Sequence, residues 1–117
     1  MPKKILVVDN ELRSRQNIAL LLREHGYEID EADDGVSALG LLSRKSFDLL
    51  ICDVVMPRLS AIDVIDKMKL ASIDTAIILI TGHPELLASN GLGQLPCFTK
   101  PFNFYDLLHK VREILGE

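Results

Sequence analysis

Short apolar runs alternate along the chain with longer segments in which hydrophobic residues recur every three or four positions. Three runs are apolar without a break: Ile5-Leu6-Val7-Val8 after Lys4, Leu49-Leu50-Ile51-Cys52, and Ala76-Ile77-Ile78-Leu79-Ile80. A strand with one wet face alternates in polarity. A continuous run marks a strand covered on both faces, as in a parallel sheet. Two weaker runs, Tyr27-Glu28-Ile29-Asp30 and Leu95-Pro96-Cys97-Phe98-Thr99, complete a predicted set of five strands.

The intervening segments have helical period. One runs from about Glu11 to His25, with Ile18, Leu21 and Leu22 on one face and Gly26 as its stop. A second spans Gly35 to Arg44 and carries Leu39 and Leu42; a third spans Ala61 to Ala71 and carries Ile62, Ile65 and Met68. In the last, Phe104, Leu107, Leu108, Val111 and Leu115 fall at i, i+3, i+4, i+7 and i+11. Asn103 is its predicted N-cap, with Asp106 as an imperfect capping box. Between Thr81 and Lys100 only about a dozen residues remain for a loop and a helix, and Asn90, Gly91 and Gly93 disfavour helix. The pattern predicts two turns at most, around Pro84 to Ser89, or an irregular loop. Strands alternating with helices imply right-handed βαβ units, hence an α/β domain with helices on both faces of a parallel sheet. No linker, repeat or low-complexity segment interrupts it, so one domain is expected to fill residues 1–117.

Composition narrows the function. With 48% hydrophobic residues in 117, the chain has a core to build. The net charge is −4 and no Lys/Arg cluster stands out, so nothing is arranged to grip nucleic acid by its phosphates. No apolar run approaches the ~18 residues of a membrane helix, and the N-terminal run lacks the length and cleavage site of a signal peptide. A cytoplasmic location is expected. Cys52 and Cys97 read as reduced thiols. Their strands would lie two places apart, about 9–10 Å, beyond the ~7 Å that a disulfide spans.

All strands of a parallel sheet end on the same edge, and ligands bind there. The residues just past four of the apolar runs are Asp9, Asp53, Thr81 and Lys100. Two carboxylates favour a divalent cation with oxygen ligands, Mg²⁺ above all, and a hydroxyl with an ammonium suits an added phosphoryl group. Each residue also has a structural reading. Asp9 or Asn10 can cap the first helix, Thr81 the fourth; Lys100 can be solvated; Asp53 can open a turn ahead of Pro57. Their convergence on one rim favours a site.

Val7-Val8-Asp9-Asn10-Glu11, Cys52-Asp53-Val54-Val55-Met56-Pro57, Ile80-Thr81-Gly82 and Thr99-Lys100-Pro101-Phe102 resemble, in order, the signature blocks of response-regulator receiver domains. The resemblance implies a flavodoxin-like (βα)5 fold with strand order 2-1-3-4-5. It implies that Asp53 is the phosphoacceptor in two-component signalling, and that Asp9, Asn10, Asp53 and the backbone carbonyl of Val55 hold Mg²⁺. Thr81 and Lys100 would contact the phosphoryl oxygens, and the Lys100–Pro101 bond is often cis in the family. The partners implied are a sensor histidine kinase or phosphotransfer protein and a downstream effector; a homodimer is compatible with the family. The domain would assist its own phosphorylation without being a free-standing enzyme.

Three departures from the family pattern bear on mechanism. Asn10 replaces a usual acid, which removes a charge from the metal site; weak Mg²⁺ binding is expected, with phosphorylation retained. The alternative is a pseudo-receiver that binds or dimerises without phosphorylation. Gly82 stands where alanine is common and opens room for water, with His83 near that route; an exposed loop histidine is the plainer reading. Both features point to a short-lived phosphoryl group. Cys97 stands where many receivers carry a switch aromatic, which puts the usual output face of helix four, strand five and helix five in question. A flavin-binding domain of flavodoxin type is disfavoured, because Asp9-Asn10-Glu11 would repel a phosphate in the absence of a metal.

Overall fold

The three unbroken apolar runs form the interior of the sheet and the two weaker ones its edges. The computed structural model describes residues 2–89 and 91–117. Strands β1 (Lys4–Val8), β3 (Leu49–Asp53) and β4 (Ala76–Thr81) lie between β2 (Glu28–Ala32) and β5 (Cys97–Thr99). The order is β2-β1-β3-β4-β5, and every pair is parallel. This is the expected flavodoxin-like topology.

Side-chain alternation explains why the interior runs are apolar throughout. Ile5, Val7, Leu49, Ile51, Ile78 and Ile80 face one side, where they meet Ile18 and Leu22 of α1 (Leu12–Glu24) and Leu107, Leu108 and Val111 of α5 (Phe104–Leu115). Leu6, Val8, Leu50, Cys52 and Leu79 face the other, against Ala38 and Leu42 of α2 (Gly35–Arg44) and Val64, Ile65 and Met68 of α3 (Ala61–Leu70). A residue on either face of these strands leaves water, so no position tolerates polarity. Among the edge strands, β2 begins and ends later than its apolar run. Tyr27 is buried ahead of the strand, and Glu31 is accommodated by Arg15 and Arg23 at 3.2 Å each. Cys52 and Cys97 are free thiols.

Helix ends follow local chemistry. Gly26, at φ +90°, terminates α1: its amide bonds Arg23 O and the Tyr27 amide bonds Leu22 O, a Schellman arrangement that needs the left-handed conformation. Asn103 caps α5 by accepting the Tyr105 amide at 2.8 Å. Two caps had no forecast: Asp34 accepts the Ser37 amide at 2.8 Å to start α2, and Ser60 with Asp63 forms a capping box on α3. Helix α4 (Glu85–Ser89) is a short five-residue turn of helix, within the predicted limit. Asn90, one of the residues expected to weaken it, lies outside the described residues.

The loop after β3 is seated on the start of α2. Arg58, at φ +68°, donates to the Asp34 carboxylate through Nε at 2.8 Å and through Nη2. Gly35 meets Leu59 so closely that an added Cβ would overlap the Leu59 carbonyl oxygen and Cβ. Alanine normally favours a helical position over glycine. Here Gly35→Ala should lower unfolding stability in urea by about 1–3 kcal/mol, the usual cost of forced overpacking. A gain in stability would contradict this packing.

Candidate functional site

Four residues at the carboxyl edge of the sheet meet as the strand directions dictate. Asp9 follows β1 and is fully buried; its amide extends the β1–β2 ladder to Ala32 O at 3.1 Å. Its Oδ1 accepts the Glu11 amide at 2.9 Å, which turns the chain into α1. Asp53 ends β3, and its Oδ1 accepts the Val55 amide at 3.1 Å. Lys100 follows β5, anchored by its amide to Thr81 O at 2.7 Å. Its Nζ donates to Asp9 Oδ2 at 2.8 Å and to Asp53 Oδ2 at 3.0 Å. The Lys100–Pro101 bond is cis. One ammonium therefore joins three strand ends that lie 44 to 91 residues apart along the chain, as the separations of 91 and 47 in these two bonds require.

The electrostatics follow from burial and from this contact. Burial raises the Asp53 carboxyl above the ordinary aspartate range; the hydrogen bonds from Lys100 and the Val55 amide pull the other way without cancelling it. Burial also opposes the charge on Lys100, but the hydrogen bonds and charges of Asp9 and Asp53 outweigh it and hold the ammonium above its usual range. Burial, with Asp53 and Asp9 nearby, pushes the Cys52 thiol far up, so it stays protonated and inert.

An open cavity of about 260 Å³ adjoins Asp53, lined also by Asn10, Glu11, Val55, Gly82, His83 and Lys100. Thr81 does not line it: the residue is fully buried, and its Oγ1 accepts the His83 amide at 2.9 Å. Asp9 stands behind Lys100. Among the described residues no three His, Cys, Asp or Glu side chains are grouped as a metal cluster. The oxygens on this rim, from Asp9, Asn10, Asp53 and the Val55 carbonyl, are nonetheless all hard donors of the kind Mg²⁺ accepts, and two of them are anionic.

Arg15 carries no local signal of a role at this rim. Its Nη1 donates to Asp9 O at 2.9 Å while Nε pairs with Glu31 at 3.2 Å, so it braces the backbone that carries the first acid. Only tertiary placement reveals it; an arginine on a helix is ordinary. Glu11 is exposed and forms part of the cavity wall.

A parallel sheet in this order, with an aspartate and a lysine joined at its carboxyl edge, defines a class, and comparison with known proteins agrees. The response regulator receiver domain family matches residues 5–112, and the chain belongs to that family. The chain is 33% identical to the response regulator MprA of Mycobacterium sp. (strain KMS) over 118 aligned positions, covering 98% of this chain and 51% of the relative. It thus spans about half the length of the curated relatives it matches. Among solved structures, it resembles the response regulator TrrA of Thermotoga maritima in complex with Mg²⁺-BeF, at TM-score 0.86 and 34% identity over 96% of this chain and 98% of that one. It also resembles the chemotaxis protein CheY4 of Vibrio cholerae, at TM-score 0.86 and 30% identity over 97% and 99% of the two chains. No described helix is long and apolar enough to cross a membrane.

The raised carboxyl of Asp53 has a sign that can be tested. An acid whose folded pKa exceeds its unfolded one costs stability when ionised, and the cost disappears as pH falls below both values. With metal chelated, Asp53→Asn should therefore melt above the wild type at neutral pH, and the gap should close on acidification. Calorimetry showing a lower melting temperature for the variant at neutral pH would mean that the Lys100 contact outweighs burial.

Proposed function

We propose that this receiver takes a phosphoryl group on Asp53 from a phosphohistidine of a sensor histidine kinase or phosphotransfer protein, and that one such domain accounts for residues 1–117. The observation that carries the reading is the Lys100 ammonium held between the Asp9 and Asp53 carboxylates. An ionised carboxylate oxygen of Asp53 attacks phosphorus, the bond to the donor nitrogen breaks with its electron pair staying on nitrogen, and an acyl phosphate forms. Such a transfer needs positioning and neutralisation more than proton transfer. Lys100, already in contact with Asp53, follows the new charge onto a phosphoryl oxygen. Thr81, whose Oγ1 now accepts the His83 amide, has its hydroxyl proton free to donate to a phosphoryl oxygen, and its turn toward that group is the switch.

Asp9, Asn10, Asp53 and the carbonyl of Val55 would hold Mg²⁺, which supplies positive charge to the phosphoryl oxygens when bound. The magnesium named in the TrrA complex supports the choice of ion. The chain assists its own modification and is not a free-standing enzyme. Downstream, a protein effector reads the change; with α4 reduced to five residues and Cys97 in place of a switch aromatic, α5 or another surface is the recognition face. A phosphorylation-independent module, the reading that Asn10 invites, draws no support from an Asp53–Lys100 contact that is already formed.

Two experiments bear on this. Incubation with acetyl phosphate and Mg²⁺ should add the mass of one phosphoryl group, absent in Asp53→Asn; an unmodified wild-type chain would sink the reading. Asn10→Asp restores a unit charge beside the ion, an interaction of about 4 kcal/mol at ~4 Å and an effective dielectric of ~20 before desolvation. A net gain of only ~1.4 kcal/mol would tighten Mg²⁺ tenfold in a calorimetric titration. Equal affinity in the two proteins would remove Asn10 from the metal site.

A further inference from the structure

Of the two rim acids, Asp9 alone is fully buried, and its polar atoms are held one by one. The amide donates to Ala32 O at 3.1 Å, Oδ1 accepts the Glu11 amide at 2.9 Å, and Oδ2 accepts Lys100 Nζ at 2.8 Å. The carbonyl remains. β1 has ended at Val8, and no backbone amide among the described residues is bonded to Asp9 O. A buried carbonyl without a partner is costly. Arg15 Nη1 meets it at 2.9 Å, a charge-assisted bond from a side chain six residues on.

The guanidinium is itself held. Its Nε donates to Glu31 Oε1 at 3.2 Å; the other Glu31 oxygen accepts Arg23 Nη1 at 3.2 Å, and Arg23 Nη2 donates to Ile29 O at 3.1 Å. The chain of contacts runs from the edge strand through two arginines of α1 to the backbone of the rim. Its outer end is wet and its inner end is not: the Arg23 side chain is 48% exposed, that of Arg15 15%. The bond that reaches Asp9 is therefore the one least screened by water and salt. Arg23 and Glu31 suffice to tie α1 to β2. Arg15 adds a tie from that pair to the residue bearing the first acid.

We propose that Arg15 is a positioning residue for the cation site, because its hold on Asp9 O fixes the peptide from which the Asp9 carboxylate projects. This rests on the reading of Asp9, Asn10, Asp53 and the Val55 carbonyl as Mg²⁺ donors. Mg²⁺ demands near-octahedral geometry at about 2.0–2.1 Å. With a neutral amide at Asn10, only Asp9 and Asp53 of that set carry charge, so misplacing Asp9 loosens half of the anionic grip. Charge alone predicts the opposite sign. A cation near the site repels Mg²⁺, so neutralising Arg15 would tighten the ion if charge were its whole influence.

The test titrates Mg²⁺ into the full chain by calorimetry, with folding checked by circular dichroism and by urea unfolding without metal. Arg15→Gln should weaken Mg²⁺ by about tenfold, the lower end for loss of an outer partner of a metal ligand. Arg15→Lys keeps the charge and one of the two bonds, and its loss should be smaller. Arg23→Gln loosens Glu31 without touching Asp9 and should weaken Mg²⁺ less than Arg15→Gln. In nitrogen–proton spectra without metal, the Glu11 amide, which donates to Asp9 Oδ1, should shift in Arg15→Gln and return toward its wild-type position in Arg15→Lys. Unchanged or tighter Mg²⁺ binding by folded Arg15→Gln overturns the proposal, whatever its stability in urea. So does an Arg23→Gln loss as large as that of Arg15→Gln, since the effect then belongs to the packing of α1. Should Arg15→Gln not fold, wild-type affinity in Arg15→Lys has the same force. A wild-type chain that takes up no Mg²⁺ defeats the reading of the metal donors, and this proposal with it. Wild-type binding that Asp9→Asn weakens upholds that reading even where the Arg15 variants refute the positioning role.

Discussion

Two carboxylates at the end of a buried sheet repel each other and lose hydration, and a single ammonium makes the arrangement tenable. Lys100 meets Asp9 at 2.8 Å and Asp53 at 3.0 Å while only 20% of its own side chain is exposed. The low exposure matters because an ion pair in bulk water contributes little, whereas one removed from water is both stronger and more costly to break. The rest of the architecture serves this contact. Three strands end in register so that their last side chains converge, α1 and α2 begin on turns that the same rim supplies, and β5, three residues long, mainly delivers the lysine. Under the proposed function the contact is also provisional, because a phosphoryl group on Asp53 would take over the role of anion toward Lys100.

How much of this could be read from residues alone depends on how far each feature is from its cause. The interior strands were legible because burial on both faces leaves no room for a polar residue: Ile5 to Val8, Leu49 to Cys52 and Ala76 to Ile80 admit few other readings. The convergence of Asp9, Asp53, Thr81 and Lys100 was legible for the same reason, since parallel strands fix which ends are neighbours. β2 was placed early because its burial is intermittent, and its polar residues are matched by Arg15 and Arg23 from a helix that the local pattern does not reveal. The Asp34 and Ser60 caps were in plain view as residue types but carry no periodic signal. The helical stripes were slightly misassigned: Ala19 and Ala38 are fully buried, while Leu21 and Leu39 lie only partly covered, because small residues sit where helix and sheet approach most closely.

The hydroxyl of Thr81 marks the limit of that kind of reading. Chain order places it at the rim, and it is there, but it is turned to the amide of His83 and has no share in the cavity wall. Position in a sheet determines where a residue is, whereas the rotamer depends on which partner is present. In this arrangement the hydroxyl accepts the amide of His83, on the backbone that leads into α4, and its own proton stays available for another acceptor. That helix is only five residues long and is tied to the core through Leu86 and Leu87.

The seat between the β3–α3 loop and α2 gives the site an uneven compliance. On one flank, Arg58 grips Asp34 and the backbone of Gly35 rests on Leu59, so the segment bearing Val55 is braced against a helix that is itself packed into the core. On the opposite flank stands Gly82, with open space where its Cβ would lie, and then the brief α4, held to the core by Leu86 and Leu87. A shift at the Asp53 carboxylate would therefore be resisted on the side of the β3–α3 loop, where Arg58 and Leu59 are seated on the start of α2.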